Sequence, residues 1–215
     1  MDKKELTPYN FLEHPDATLY FKKIDYALKN GVHIQQWKEQ YYWFKFINSN
    51  EESLKLYYQK YFDLKLENGG DGNDKYYYID FMTDLKGSIP TRNKKQLPNE
   101  QVIIGILIYK IIFIDGYLEI STVSQLQKTI HNEYEDLKDG LCKIITNTKG
   151  SHYTQKDYDK LNDTITSACK SFDRIGWIEL SEDTLHTLPS FHRLRQIYGE
   201  YIEKIDDIIH NPTQR

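Results

Sequence analysis

Few residues in this chain have the types and spacing that chemistry requires. Asp71 and Asp74 lie in or beside the glycine-rich stretch Asn68-Gly69-Gly70-Asp71-Gly72-Asn73, where neighbouring carboxylates suggest calcium. A calcium loop needs alternating oxygen ligands and a distal Glu that binds through both oxygens. Neither is present, so the stretch reads as a hairpin turn. The seven His residues are scattered, and His186 and His192 have no Cys or acidic partner at ligand spacing. Cys142 and Cys169 are the two cysteines. Without a CxxC they read as free buried thiols in a reducing compartment. There is no GxxxxGK[ST], GxSxG, HExxH or GxGxxG. The expectation is therefore no catalytic, cofactor-binding or metal-binding residue, and a protein that is not an enzyme.

What remains is basic and aromatic. Between positions 156 and 176 the apolar residues Tyr158, Leu161, Ile165, Ala168, Phe172 and Ile175 alternate spacings of three and four, the seam of a helix packed on one side. The opposite face carries Lys156, Lys160, Asp163, Ser167, Lys170 and Arg174. Such cations can contact phosphates and give salt-dependent, sequence-neutral DNA binding. Few of these side chains suit a bidentate contact to a base edge. The same face also reads as an ordinary solvated surface. A second candidate is the connector 86–95, which has no acidic residue and carries Lys86, Arg92, Lys94 and Lys95.

The aromatic residues point to a partner. A helix is expected over 37–47, and Trp37, Tyr41, Tyr42, Trp43, Phe44 and Phe46 are more than one face can hold. Apolar surface around a helix calls for deeper burial, and dimerisation is the leading explanation. A last helix from Pro189 carries Leu194, Ile197, Tyr198, Tyr201, Ile202, Ile205, Ile208 and Ile209 at helical spacing. The candidate dimer or partner surface is Trp37, Tyr41, Tyr42, Trp43, Phe46, Ile197, Tyr201 and Ile205.

The elements that must position these groups follow one plan twice. Residues 1–15 are polar, with Pro8 and Pro15, and read as an arm. The region 16–85 reads as three helices and a hairpin: Leu64-Lys65-Leu66-Glu67 goes out and 76–81 returns. Asp16 or Thr18 and Asn50 are the expected helix caps, and Gly31 the first helix stop. A connector spans 86–96. The region 97–191 repeats the plan, with a buried helix over 102–114, a helix from Val123, further helix suggested after 135, the 156–175 helix, and a hairpin around Ser181-Glu182-Asp183. Residues 192–215 are a terminal helix and tail. A packed helix stopped by Gly176 and followed at once by a hairpin is how a winged helix ends. The reading is α+β, mainly helical, with tandem winged-helix domains.

Composition agrees with a folded chain. Of 215 residues, 39% are hydrophobic and 28% charged, enough for a core. Eighteen Tyr raise the aromatic content to 14%, suiting helix packing and interfaces. A net charge of −4 and a pI near 6.0 argue against coating nucleic acid by bulk charge, though not against a local patch. No charged segment leads into an apolar one, so no secretory signal is expected. The 102–114 run is too short, and too interrupted by Gly105 and Lys110, to span a bilayer.

In order along the chain, Ala27-Leu28-Lys29-Asn30-Gly31-Val32-His33-Ile34 resembles the ALxxGxHI opening of the MukE/MksE accessory subunits of bacterial condensins. Leu54 and Tyr57-Tyr58 follow, then Tyr76-Tyr77-Tyr78, Ile89-Pro90, Leu97 and Gly105. Arg174-Ile175-Gly176 resembles the family's RLG before its second hairpin. The collinear series covers roughly 19–190. The resemblance implies a tandem winged-helix (kite) homodimer that binds a kleisin subunit of the MukF or MksF type. Through the kleisin it implies an SMC-like ATPase, and a part in chromosome segregation or in defence against plasmids, as in Wadjet-type systems. It implies a cytoplasmic, nucleoid-associated protein with non-specific DNA contact and no membrane partner. Longer members carry an acidic C-terminal extension; this chain is expected to lack that function. The matched Gly31, Ile34, Pro90, Gly105 and Gly176 are structural positions and locate no binding site. A tandem winged-helix transcription regulator is the alternative reading.

Overall fold

The structure, a computed structural model, describes residues 5–80, 97–146 and 154–206. The connector 86–96 with Lys86, Arg92, Lys94 and Lys95 lies outside the described residues, as do Phe81, Ile89-Pro90, Lys149-Gly150-Ser151, Ile208, Ile209 and the tail. The chain forms two compact units, Met1–Gln96 and Leu97–Arg215. The expected α+β, mainly helical class holds.

The first unit runs α1 (Ala17–Lys29), β1 (Ile34–Gln35), α2 (Tyr41–Ser49), α3 (Glu51–Phe62), β2 (Lys65–Gly69) and β3 (Tyr76–Asp80). β3 is central, antiparallel to both neighbours, with Ile34 opposite Tyr77 and Leu66 opposite Ile79. Ile24, Leu28, Phe44, Ile47, Leu54, Tyr58, Leu66 and Tyr77 meet in one core. Gly31 turns the chain out of α1 at φ 81°.

Four local expectations differ. Asp16 stands at the N-cap of α1 but makes no side-chain cap hydrogen bond. Helix α2 starts at Tyr41 rather than at 37. Gln40 Oε1 accepts the Gln35 N–H at 3.2 Å and the Trp37 N–H donates to the Gln35 carbonyl, so a compact turn occupies 35–40. Asn50 does not cap α3 with its side chain; its Nδ2 donates to the Phe46 carbonyl at 2.8 Å and closes α2 instead. Residues 5–15 are not a free arm. Phe11 is fully buried, 4.5 Å from the Phe21 ring and 5.2 Å from Tyr57, and Ser53 Oγ accepts the Phe11 N–H and donates to the Thr7 carbonyl.

Glu51 ties α3 to the hairpin. Its carboxylate accepts from Lys55, Asn68, Lys75 and the Tyr77 hydroxyl at 2.7–3.0 Å. Burial works against its ionisation, but the Lys55, Tyr77 and Lys75 hydrogen bonds outweigh it and hold its pKa at about 2.

The second unit is built around α4 (Asn99–Tyr109), which is apolar on every side and continues as one π-helical turn, Lys110–Ile114. Ile104 to Tyr109, Ile111 and Ile112 are all buried. Gly105 permits the enclosure: a Cβ there would lie 3.0 Å from the Phe172 ring and 3.1 Å from Leu194. Then come α5 (Val123–Glu133), α6 (Glu135–Thr146), α7 (Gln155–Arg174), β4 (Ile178–Ser181), β5 (Thr184–Thr187) and α8 (Arg193–Glu203). The expected seam of α7 is the buried one, with Cys169 beside it. Thr122 caps α5 and bridges to Thr184; the Leu185 N–H donates to the Ser121 carbonyl at 2.8 Å. The short segment before α5 thus lies along β5, as β1 lies along β3 in the first unit. The terminal helix is not continuous. Tyr198, at φ −122° and ψ 25° next to Gly199, kinks α8, and Ile202 and Ile205 turn back into the core.

Glu51→Gln should lower stability by about 1–3 kcal/mol at pH 7. Because Glu51 titrates below its ordinary value, its contribution is complete above about pH 4.5 and is lost as pH falls towards 2. Urea unfolding of both proteins at pH 7 and at pH 3 should show the difference narrowing. Phe11→Ala should cost about 3–5 kcal/mol in the same measurement, as for other buried aromatics; a free arm would cost nothing.

Candidate interaction surfaces

Helix α7 is held by α4, α5 and α6, which leave one stripe open. Gln101 Nε2 reaches Ser167 at 3.1 Å from α4, and Gln127 Nε2 reaches the Asn162 carbonyl and Thr166 from α5, both at 3.1 Å. Lys156, Lys160, Lys170 and Arg174 are all exposed on the stripe, and so are Asp159, Asp163 and Asp173. The stripe is therefore of mixed sign. Arg174 is folded back, its Nη2 donating to Ser171 Oγ at 2.9 Å.

The adjoining hairpin carries Glu182 and Asp183 at its turn, with Glu182 at φ 55°. Asp183 is engaged within the unit: its Oδ1 accepts the Ser124 N–H at 3.1 Å, and its carbonyl accepts the Val123 N–H. A carboxylate-bearing hairpin beside a mixed stripe suits weak phosphate contact and does not suit base reading.

The aromatic surplus of 37–47 divides between core and surface. Phe44 and Phe46 are buried, and Trp37 and Trp43 are half-buried. Tyr42 is 59% exposed and stacks on Tyr20 with ring centroids 6.2 Å apart. Tyr41 meets Tyr42 edge-on at 5.5 Å, and Lys45 Nζ sits 4.4 Å above the Tyr41 ring. Phe46, at 2% exposure, leaves the candidate surface, because α2 turns it into its own core. Ile205, at 1%, leaves it too, since the kink at Tyr198 returns it to the second unit's core. Ile197 and Tyr201 stay exposed on α8.

Burial pushes the Cys142 thiol up to about 11 and the Cys169 thiol up to about 12, so neither is a ready nucleophile. Asp71 and Asp74 flank a single 3-10 turn, the Asp74 N–H donating to the Asp71 carbonyl. Among the described residues, no group of three or more His, Cys, Asp or Glu is placed to hold a metal. No helix there is long and apolar enough to cross a membrane.

One surface escaped the sequence reading: the outer edge of the first unit's sheet. Gln35 directs its N–H to Gln40 and its carbonyl to Trp37, away from β3. By the alternation of an antiparallel ladder, Tyr77 then faces β1, while Tyr76, Tyr78 and Asp80 face β2. Lys65, Glu67 and Gly69 face back to β3, and the backbone groups of Leu66 and Asn68 point outward. Among the described residues nothing is hydrogen-bonded to them. The other hairpin has one outward group taken up. There the Leu180 N–H on the outer edge of β4 donates to Asp173 Oδ1 at 2.9 Å. The alternation of Leu64-Lys65-Leu66-Glu67 is the signal that identified the strand, but it does not say which strand is central.

A family model described as condensin complex protein MksE matches residues 19–198. No curated protein matches the chain.

Proposed function

The chain belongs to the MksE family of condensin complex proteins, and on that premise we propose that it clasps a kleisin subunit and links it to an SMC-like ATPase on DNA. It is a condensin accessory subunit. The observation that carries the finer reading is the repeated layout. In each unit a helix leads to a short extended segment, a strand in the first and a single bridge at Thr122 in the second, paired with the second strand of the hairpin that follows the later helices. That order fits two winged-helix domains in tandem. In this reading the protein is a homodimer through its first unit, and Trp37, Tyr41, Tyr42 and Trp43 give that unit an aromatic surface for the second copy or for another partner. Ile197 and Tyr201 on α8 supply a second apolar surface. An extended kleisin segment suits such surfaces, its alternate side chains filling pockets.

DNA contact in this reading is to the backbone alone, through Lys156, Lys160, Lys170 and Arg174, with the basic connector adding Lys86, Arg92, Lys94 and Lys95. The acidic pI and the mixed sign of α7 keep that contact weak outside the assembled complex. The protein works on the nucleoid in the cytoplasm, in chromosome organisation or in plasmid defence.

Affinity capture of the tagged protein from its native lysate should recover a kleisin and a large SMC-type ATPase in stoichiometric amounts; recovery alone, or on one promoter fragment, overturns the reading. The variant Lys156→Glu/Lys160→Glu/Lys170→Glu should weaken DNA binding equally for all sequences. It should also flatten the dependence of log affinity on log salt by roughly one unit per lysine. A loss confined to one sequence would contradict backbone contact.

A further inference from the structure

We propose that the outer edge of β2 pairs with β2 of a second copy, antiparallel and centred on Leu66, joining the two three-stranded sheets into one. The inference rests on the homodimer reading and places its seam.

An edge strand with outward N–H and C=O groups is a template for another strand, and proteins that keep such an edge solvent-exposed usually blunt or cover it. In this chain Asp173 takes up one outward N–H of the β4 edge, that of Leu180. The β2 edge carries no proline and no such carboxylate; Lys65 is its one cation, and its outward groups are those of Leu66 and Asn68. What fits it is an extended backbone.

The side chains select a second copy. Leu66 and Asn68 point to the α3 side of the sheet, where Leu66 is buried and Asn68 Nδ2 donates to Glu51 at 2.9 Å. Lys65 and Glu67 therefore share the opposite face. In an antiparallel pair centred on Leu66, the two Leu66 residues exchange both backbone hydrogen bonds. Lys65 then stands opposite Glu67 of the second copy, and Glu67 opposite its Lys65. Both cross-strand pairs join opposite charges in the non-hydrogen-bonded positions, where side chains lie closest. Within the unit, Lys65 already stands opposite Asp80 in the β2–β3 register. The row across the seam thus alternates in sign: Asp80, Lys65, then Glu67 of the second copy. Moving the axis to Glu67 would set the two Glu67 carboxylates directly opposite each other, so the charges favour the axis at Leu66. A two-fold axis through Leu66 closes the assembly at two chains.

The test co-expresses two differently tagged full-length chains, one Lys65→Cys and one Glu67→Cys, and oxidises them mildly. Mixed dimers should cross-link, and either variant alone should not, because only positions 65 and 67 face each other. The native thiols are buried and do not compete. In parallel, sedimentation should show the dimer weakened roughly tenfold by Lys65→Glu or by Glu67→Lys, with affinity restored by the double exchange, as expected when two attractive pairs become repulsive. A dimer that neither cross-links nor responds to these charges overturns the β2 seam and leaves the homodimer standing. A wild-type chain that sediments as a monomer at all concentrations overturns both.

Discussion

Each hairpin in this protein is too small to satisfy its own backbone, and the rest of the fold is arranged around that constraint. Two strands alone are marginal in water. Both units solve the problem in the same way, with a few residues before the second helix lying along the hairpin's second strand. In the first unit these are Ile34 and Gln35 against β3; in the second they are 121–123 against β5. The helices between must then close a loop over the sheet, so each unit becomes a compact layer with one buried face. Glu51 in the first unit and Asp183 in the second fasten a helix start to the hairpin by accepting from neighbouring donors. What this closure leaves outside includes one stripe of α7, the outer side of α2, Ile197 and Tyr201 on α8, and one sheet edge.

The charges on those surfaces limit what the protein can do by itself. The α7 stripe alternates Lys and Asp, and the hairpin beside it ends in Glu182 and Asp183. Such a surface gains little from phosphates at physiological salt, because each lysine has a carboxylate close by and surface charge is screened within about 8 Å. It gains more when a partner holds DNA in place. That matches a subunit whose work is assembly, and the two buried thiols add no chemistry of their own.

Strictly periodic segments were legible in the sequence. The α7 seam follows from spacing, because one residue type repeats wherever a neighbour must be met, and the buried helix α4 follows from an apolar run of about a dozen residues. Segments whose conformation depends on a distant partner were not legible. Helix α2 begins late because Gln40 reaches back to Gln35. The stretch before α1 packs because one side chain, Phe11, finds Phe21 and Tyr57. The kink at Tyr198 moves Ile205 inward while leaving Ile197 outside, though all follow one helical repeat. Of the candidate surface, the basic residues of α7 lie where the helical wheel puts them, outside. Phe46 and Ile205 do not, since an apolar residue on a helix reads the same whether it meets its own core or another chain. The sheet edge was hidden because strand order is a property of the fold.

The central claim is that this chain is a working part of a larger SMC assembly. The most direct measurement is the native mass of the complex isolated from its own cells under mild conditions. The account predicts an assembly in which two copies of the 25.6 kDa chain accompany a kleisin and an SMC-type ATPase. A mass that corresponds only to the chain, or to simple multiples of it, would contradict it.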